Sequence, residues 1–216
     1  MYNLQKNNSQ KEFQLPVSFS YEKAMGLIGN SIQVGVARWF FEQMVCPSIN
    51  SPRPHFQFVD LFAGIGGFHV ALTGFGNCVL ASDNNKDCQT VYQLNFPETP
   101  FLLGDINDKQ IQSQIIETDF NLLCAGFPCQ PYSKANTSKN KKDTVIGSLL
   151  KIIEQKRPEC LFLENVPQLV KYPIWTEIKK RLEKQNYQIH FDKLCPSNFG
   201  IPMKRPRIFI WAQRYV

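Results

Sequence analysis

Val59-Asp60-Leu61-Phe62-Ala63-Gly64-Ile65-Gly66-Gly67-Phe68 is the stretch whose reading decides the fold. An apolar run stops at closely spaced glycines, which let a backbone turn sharply and approach a ligand, with a helix N-terminus expected beyond. The spacing is not G-x-G-x-x-G, because the glycine after Gly66 is its neighbour. A pyrophosphate-binding loop uses the longer spacing, so a nicotinamide cofactor is disfavoured. On the glycines alone, a tight strand-to-helix turn with no ligand stands as the alternative.

Working outward, short apolar runs alternate with amphipathic stretches. The runs are Phe56–Phe62, Cys78–Ser82, Phe101–Leu103, Phe120–Cys124, Cys160–Leu163, Gln188–Leu194 and Ile208–Ala212. Between them, Ile146, Leu149, Leu150 and Ile153 fall at helical spacing, as do Ile174, Ile178 and Leu182. Strand and helix in alternation predict an α/β fold with a mostly parallel sheet covered by helices on both faces. Ahead of the first run, Ile32, Val36, Trp39, Phe40 and Met44 predict a helix from Gly26 to about Val45. The prolines of Cys46–Pro54 end it and make a linker. Residues 1–20 read as a tail. Ser133–Lys142 has four lysines, no acid and no large apolar residue, which predicts a loop.

The composition narrows the function classes. At 216 residues, 43% hydrophobic and 19% charged, the chain can bury a core without disulfides or metal. A formal charge of +6 permits an anionic partner without identifying one. No apolar run approaches a membrane span, and Met1–Gln14 lacks the apolar core of a signal peptide, so a cytoplasmic protein is expected. The cysteine count of seven is odd and no pair is spaced C-x-x-C, which argues against a disulfide framework or a metal site.

In parallel sheets, ligands gather at the carboxyl ends of the strands. The second run ends at Ser82-Asp83, and Asp83 lies 19 residues after Gly64, close to the spacing of an acid that accepts ribose hydroxyls. The third ends at Gly104-Asp105-Ile106, an acid for an exocyclic amine and an apolar side chain for a ring. Each acid alone reads equally as a solvated acid or a helix cap; three successive strand ends favour an adenosine-type site. The fourth run ends in Ala125-Gly126-Phe127-Pro128-Cys129-Gln130-Pro131. Two prolines restrain the backbone around Cys129, and a nearby cation or helix N-terminus would make its thiol a nucleophile. The fifth ends in Leu163-Glu164-Asn165-Val166, where a carboxylate at an apolar strand end is a candidate proton donor. Lys204-Arg205-Pro206-Arg207 brings cations just before the last run, and by itself would be a basic surface turn.

D-L-F-A-G-I-G-G-F, F-P-C-Q-P and E-N-V, in this order, resemble the DNA cytosine C5-methyltransferases of bacterial restriction–modification systems. The resemblance runs from about Phe13 to Val216. It implies a Rossmann-like class I S-adenosylmethionine-dependent methyltransferase with a seven-stranded sheet. It implies that Phe62 stacks on the cofactor adenine while Ala63, Gly64, Gly66 and Gly67 pass its methionine part. Asp83, with Asn84, would take the ribose; Asp105 and Ile106 would hold the adenine, and Leu149 matches another cofactor-contacting position. Cys129 would attack C6 of a flipped cytosine, Glu164 would hydrogen-bond or protonate N3, and Arg207 with Arg205 would orient the base and Glu164. Pro128, Gln130, Ser133 and Asn165 would lie against the substrate, and Lys134, Lys139, Lys141 and Lys142 on DNA phosphates. The products would be 5-methylcytosine and S-adenosylhomocysteine.

The motif order departs from the family's. Gly29-Asn30-Ser31-Ile32 resembles the family's last motif, whose Asn and Ser contact the cofactor, yet it precedes the glycine-rich turn by about 35 residues. The chain therefore looks circularly permuted, with a tail over 1–20, a cofactor-contacting helix and linker over 21–55, and a catalytic domain over 56–216. No target-recognition region is recognisable, which implies a second polypeptide that supplies it, double-stranded DNA as substrate and a cognate restriction endonuclease system. Met203 stands where the family's Gln-x-Arg-x-Arg has Gln. The family's Asp-x-Arg-Gly becomes Asp143-Thr-Val-Ile-Gly147. Rival readings are a decayed non-catalytic binding remnant, a tRNA cytosine methyltransferase of the same lineage, and a nicotinamide-dependent oxidoreductase.

Overall fold

The computed structural model describes residues 12–45, 55–128 and 145–215. The elements run α1 (Tyr21–Asn30), α2 (Val34–Val45), β1 (Phe56–Leu61), α3 (Gly67–Ala71), β2 (Gly76–Asp83), α4 (Lys86–Asn95), β3 (Phe101–Leu103) and α5 (Lys109–Glu117). They continue with β4 (Leu122–Gly126), α6 (Val145–Lys156), β5 (Cys160–Asn165), α7 (Pro173–Lys184), β6 (Tyr187–Leu194) and β7 (Arg207–Arg214). Every apolar run of the sequence is therefore a strand, within a residue or two at each end.

The strands form one seven-stranded sheet in the order β3-β2-β1-β4-β5-β7-β6. Neighbours from β3 to β5 pair in parallel, while β7 runs antiparallel to both β5 and β6. The order reverses between β1 and β4, and such a switch point opens a crevice at the carboxyl ends of the strands. The core has two sides. Val59 and Leu61 of β1 face a layer containing Ile115, Ile146, Leu149, Ile153, Ile178 and Leu182 from α5, α6 and α7. Phe56 and Phe58 face the other, with Val36, Phe40 and Phe41 from α2 and Phe68 and Leu72 around α3. Alternate residues of one strand thus serve both layers, which is why β1 reads as an unbroken apolar run.

The N-terminal region differs from the single helix expected over Gly26 to about Val45. It is two helices broken at Ser31-Ile32-Gln33, with Ser31 extended (φ −67°, ψ 157°). Gln33 Oε1 accepts the Val36 amide at 2.5 Å and starts the second helix. The apolar periodicity runs through the break because Ile32 still packs with the second core layer. Residues before α1 are also tied down: the Gln14 amide donates to Asn95 Oδ1 at 2.7 Å, and Asn95 Nδ2 returns a bond to Gln14 O at 2.8 Å. Among the described residues, no helix is long and apolar enough to cross a membrane.

Candidate active site

The chain leaves β1 through a strained turn. Phe62 has φ 56°, a left-handed conformation that costs an aromatic residue about 1–2 kcal/mol. Gly66 follows with φ 94°, and a Cβ there would come within 2.4 Å of the Phe96 ring. Gly67 opens α3; its Cβ would fall 2.5 Å from Ile32 Cγ1 and 2.9 Å from Ser31 Oγ. The glycines therefore let α4 and the 31–32 segment close directly on the turn. Asp83 braces it from β2: Oδ2 accepts the Gly64 amide at 2.8 Å, and Oδ1 accepts the Asn85 amide at 2.9 Å.

A cleft of about 660 Å³ lies over the carboxyl ends of β1–β5, in the size range of small-molecule sites. Phe62, Gly64, Asp83, Asn84, Asp105 and Ile106 line it, with Asn30 from the end of α1 and Pro128, Glu164, Asn165, Arg205 and Arg207 opposite. Ala63, Gly67 and Ser31 line an adjoining recess that also touches Asn30, Phe62 and Glu164. Segments distant in sequence thus converge: Asn30 and Arg205 are 175 residues apart, yet Arg205 Nη2 donates to Asn30 O at 3.2 Å.

The base-side chemistry centres on Glu164, which is only 7% exposed at the end of β5. Arg207 Nε lies 2.9 Å from its Oε1. The two form a close ion pair, and Oε1 is shut off from solvent. Burial pushes this carboxyl above its ordinary 4.5, outweighing the opposing pull of Arg207 and then Arg205. A buried acid whose carboxyl holds its proton more tightly than usual, beside a cation, can give a proton to, or share one with, a ring nitrogen. Asn165 is 2% exposed and does a second job: Nδ2 donates to Phe127 O and Oδ1 accepts the Val166 amide, both at 2.8 Å. It therefore ties the end of β5 to the segment that leads to Pro128 and Cys129.

Three expected residues are placed differently. Leu149 is 2% exposed and packs in the core with Ile106, so it supports the cleft from beneath instead of lining it. Its helical spacing marks it as a buried-face residue, and that face is turned to the sheet. Arg205 lines the cleft, but its guanidinium donates to the carbonyls of Asn30 and Ser31 rather than to Glu164. Gly66 shapes the turn without facing the cleft. Cys129, Gln130, Ser133 and the lysines 134, 139, 141 and 142 lie outside the described residues.

Asn107 and Cys88 line the cleft and were not anticipated. Asn107 Oδ1 accepts the Ser148 hydroxyl at 2.8 Å, which joins the turn after β3 to α6. Its position two residues beyond Asp105 was the available clue. Burial, with Asp83 and Asp87 next, pushes the Cys88 thiol up to about 12. Burial likewise drives Cys78 and Cys160 to about 12. These thiols stay protonated at neutral pH and are poor nucleophiles.

Residues 56–215 match the family model described as C-5 cytosine-specific DNA methylase. The chain belongs to that family. It is 36% identical over 161 residues to the Type II methyltransferase M.HhaI of Haemophilus parahaemolyticus, covering 71% of this chain and 48% of that protein. It is 36% identical over 165 residues to the Type II methyltransferase M.MspI of a Moraxella species, covering 73% and 38%. A solved DNMT2 structure from Spodoptera frugiperda is 27% identical with a TM-score of 0.62, covering 73% of this chain and 50% of that one. The chain spans about half the length of such relatives or less. The fold is that of the class I S-adenosylmethionine-dependent methyltransferases, as the sheet order and the solved relative agree.

Proposed function

We propose that this C-5 cytosine methylase chain carries the chemistry of a DNA cytosine C5-methyltransferase and acts on a cytosine turned out of double-stranded DNA. The observation that carries the reading is the shared cleft. A buried acid paired with Arg207, Glu164, lines the same space as two strand-end acids, Asp83 and Asp105. The cofactor side suits S-adenosylmethionine: Asp83 keeps lone pairs for ribose hydroxyls beyond its two backbone bonds, Asp105 and Ile106 border a ring-sized space, and Phe62 offers an aromatic face. When bound, the cofactor supplies an electrophilic methyl group.

The protein's own groups would make cytosine able to accept that methyl. The C5 of an aromatic pyrimidine is a poor nucleophile, and the target atom is hidden in the stack until the base is flipped. The Cys129 thiolate would add to C6, forming the C–S bond, while Glu164 gives a proton or hydrogen bond to N3. The electron pair then resides at C5, which takes the methyl group. Water would then take the C5 proton, N3 would return any proton to Glu164, and the C–S electron pair would return to sulfur, which restores the ring and the thiolate. Arg207 would hold Glu164 and the base in one plane, and Asn165 would fix the approach of the cysteine segment.

In this reading the chain is circularly permuted, with Asn30 and Ser31 reaching the cofactor from ahead of β1. A second polypeptide would supply target recognition, and a restriction endonuclease would share the target site. Chain co-purified with its partner, incubated with S-adenosylmethionine and DNA carrying 5-fluorocytosine, should form a denaturation-resistant adduct. Cys129→Ser should form none; an adduct in that variant overturns the nucleophile. Full-rate, site-specific methylation by this chain alone overturns the two-polypeptide arrangement.

A further inference from the structure

Arg205 stands between the two halves of the cleft. Through Nη1 and Nη2 it donates to the carbonyls of Ser31 and Asn30, which α1 leaves without intrahelical partners at its C-terminal end. A cation there is favoured by the helix dipole as well as by the bonds. The anchored segment presses on the glycine turn, since Ser31 Oγ and Ile32 occupy the space a Cβ on Gly67 would need. Two residues later, Arg207 pairs with Glu164. Arg205, Arg207 and Glu164 line the same cleft, so the two like-charged guanidiniums share one neighbouring carboxyl. Contacts therefore run from the glycine turn through Ser31 to Arg205, which borders the same cleft as the Arg207–Glu164 pair.

We propose that Arg205 is a positioning residue that couples the cofactor turn to Glu164, so that cofactor and target base bind cooperatively. The proposal rests on the cofactor reading given above. With the nucleoside site filled, the 30–31 carbonyls are held in place and seat Arg205, which leaves Glu164 to Arg207 and the base. By reciprocity, loss of the Glu164 charge frees Arg207 to push Arg205 off the carbonyls and loosens the cofactor turn.

Calorimetric titration with S-adenosylhomocysteine tests this through a double-mutant cycle that needs no DNA. Arg205→Gln should weaken binding about tenfold, within the usual range of site–site coupling. Glu164→Gln should weaken it by a smaller factor in the wild-type background and by none in the Arg205→Gln background. Arg205→Lys, which keeps the charge and fewer donors, should fall between wild type and Arg205→Gln, and it carries the same cycle if Arg205→Gln does not fold. Equal Glu164→Gln effects in both backgrounds overturn the coupling while leaving the cofactor reading standing. Wild-type chain that binds no S-adenosylhomocysteine overturns both.

Discussion

Asp60 sits in the middle of β1 with 0% exposure, and neither of its oxygens makes a hydrogen bond of ordinary geometry among the described residues. Burial first, and then Asp83, raise its carboxyl well above the ordinary 3.8. The folded chain thus binds a proton more tightly than the unfolded chain, and its stability is greatest below the unfolded value and is lost as pH rises toward the folded one. Urea midpoints should fall with rising pH above about 4 in the wild type, and Asp60→Asn should flatten that slope. An unchanged slope would assign the titration to another group. Glu164 is raised by the same cause but faces the cleft, so its loss should appear in chemistry. Glu164→Gln should lower single-turnover methyl transfer by about 10²–10⁴-fold, the usual worth of a positioned proton donor. An effect confined to stability would remove it from the mechanism. The residue types at both positions were legible in the sequence. What was not legible is that Arg205 and Arg207, two residues apart, take different partners.

At the scale of elements, the glycines divide by what surrounds them. Gly26 lies inside α1, and a Cβ there would meet nothing within 4 Å. Gly26→Ala should therefore stabilise the chain by about 0.5–1 kcal/mol, the helical difference between the two residues, read as a higher melting temperature. Gly67→Ala should do the reverse, because its methyl would collide with Ile32 and Ser31. It should also weaken S-adenosylhomocysteine binding as the 31–32 segment is displaced; binding at wild-type strength would show that this contact is immaterial to the cofactor. The sequence marked the parallel strands well because their runs are short, apolar and followed within a few residues by Gly, Asp or Asn. It merged α1 and α2 because the break is made by Gln33 capping a new helix, and no Pro or Gly announces it.

At the scale of the molecule, α2 binds the N-terminal region to the sheet. Phe41 is fully buried, with ring contacts to Phe56 of β1 at 5.7 Å, Phe162 of β5 at 5.5 Å and Trp211 of β7 at 5.7 Å. Removing such a ring usually costs about 3–5 kcal/mol. Phe41→Ala should lower the urea midpoint accordingly and make α2 and the sheet susceptible to limited proteolysis together. Preferential cleavage that left a stable sheet domain would mean that α2 is an appendage rather than part of the core.

The sequence by itself determined the alternation of strand and helix, the acids and glycines at successive strand ends, and the motifs that mark a cytosine methylase. Those features are local, set by periodicity and by what a turn demands of its residues. Tertiary structure alone decided that Asn30 and Ser31 stand beside Gly67, that Arg205 serves α1 while Arg207 serves Glu164, and that Leu149 faces the core. These depend on which segments meet across the switch between β1 and β4, and on how burial and neighbouring charge share out a few cations. Residue type and spacing carry no measure of either.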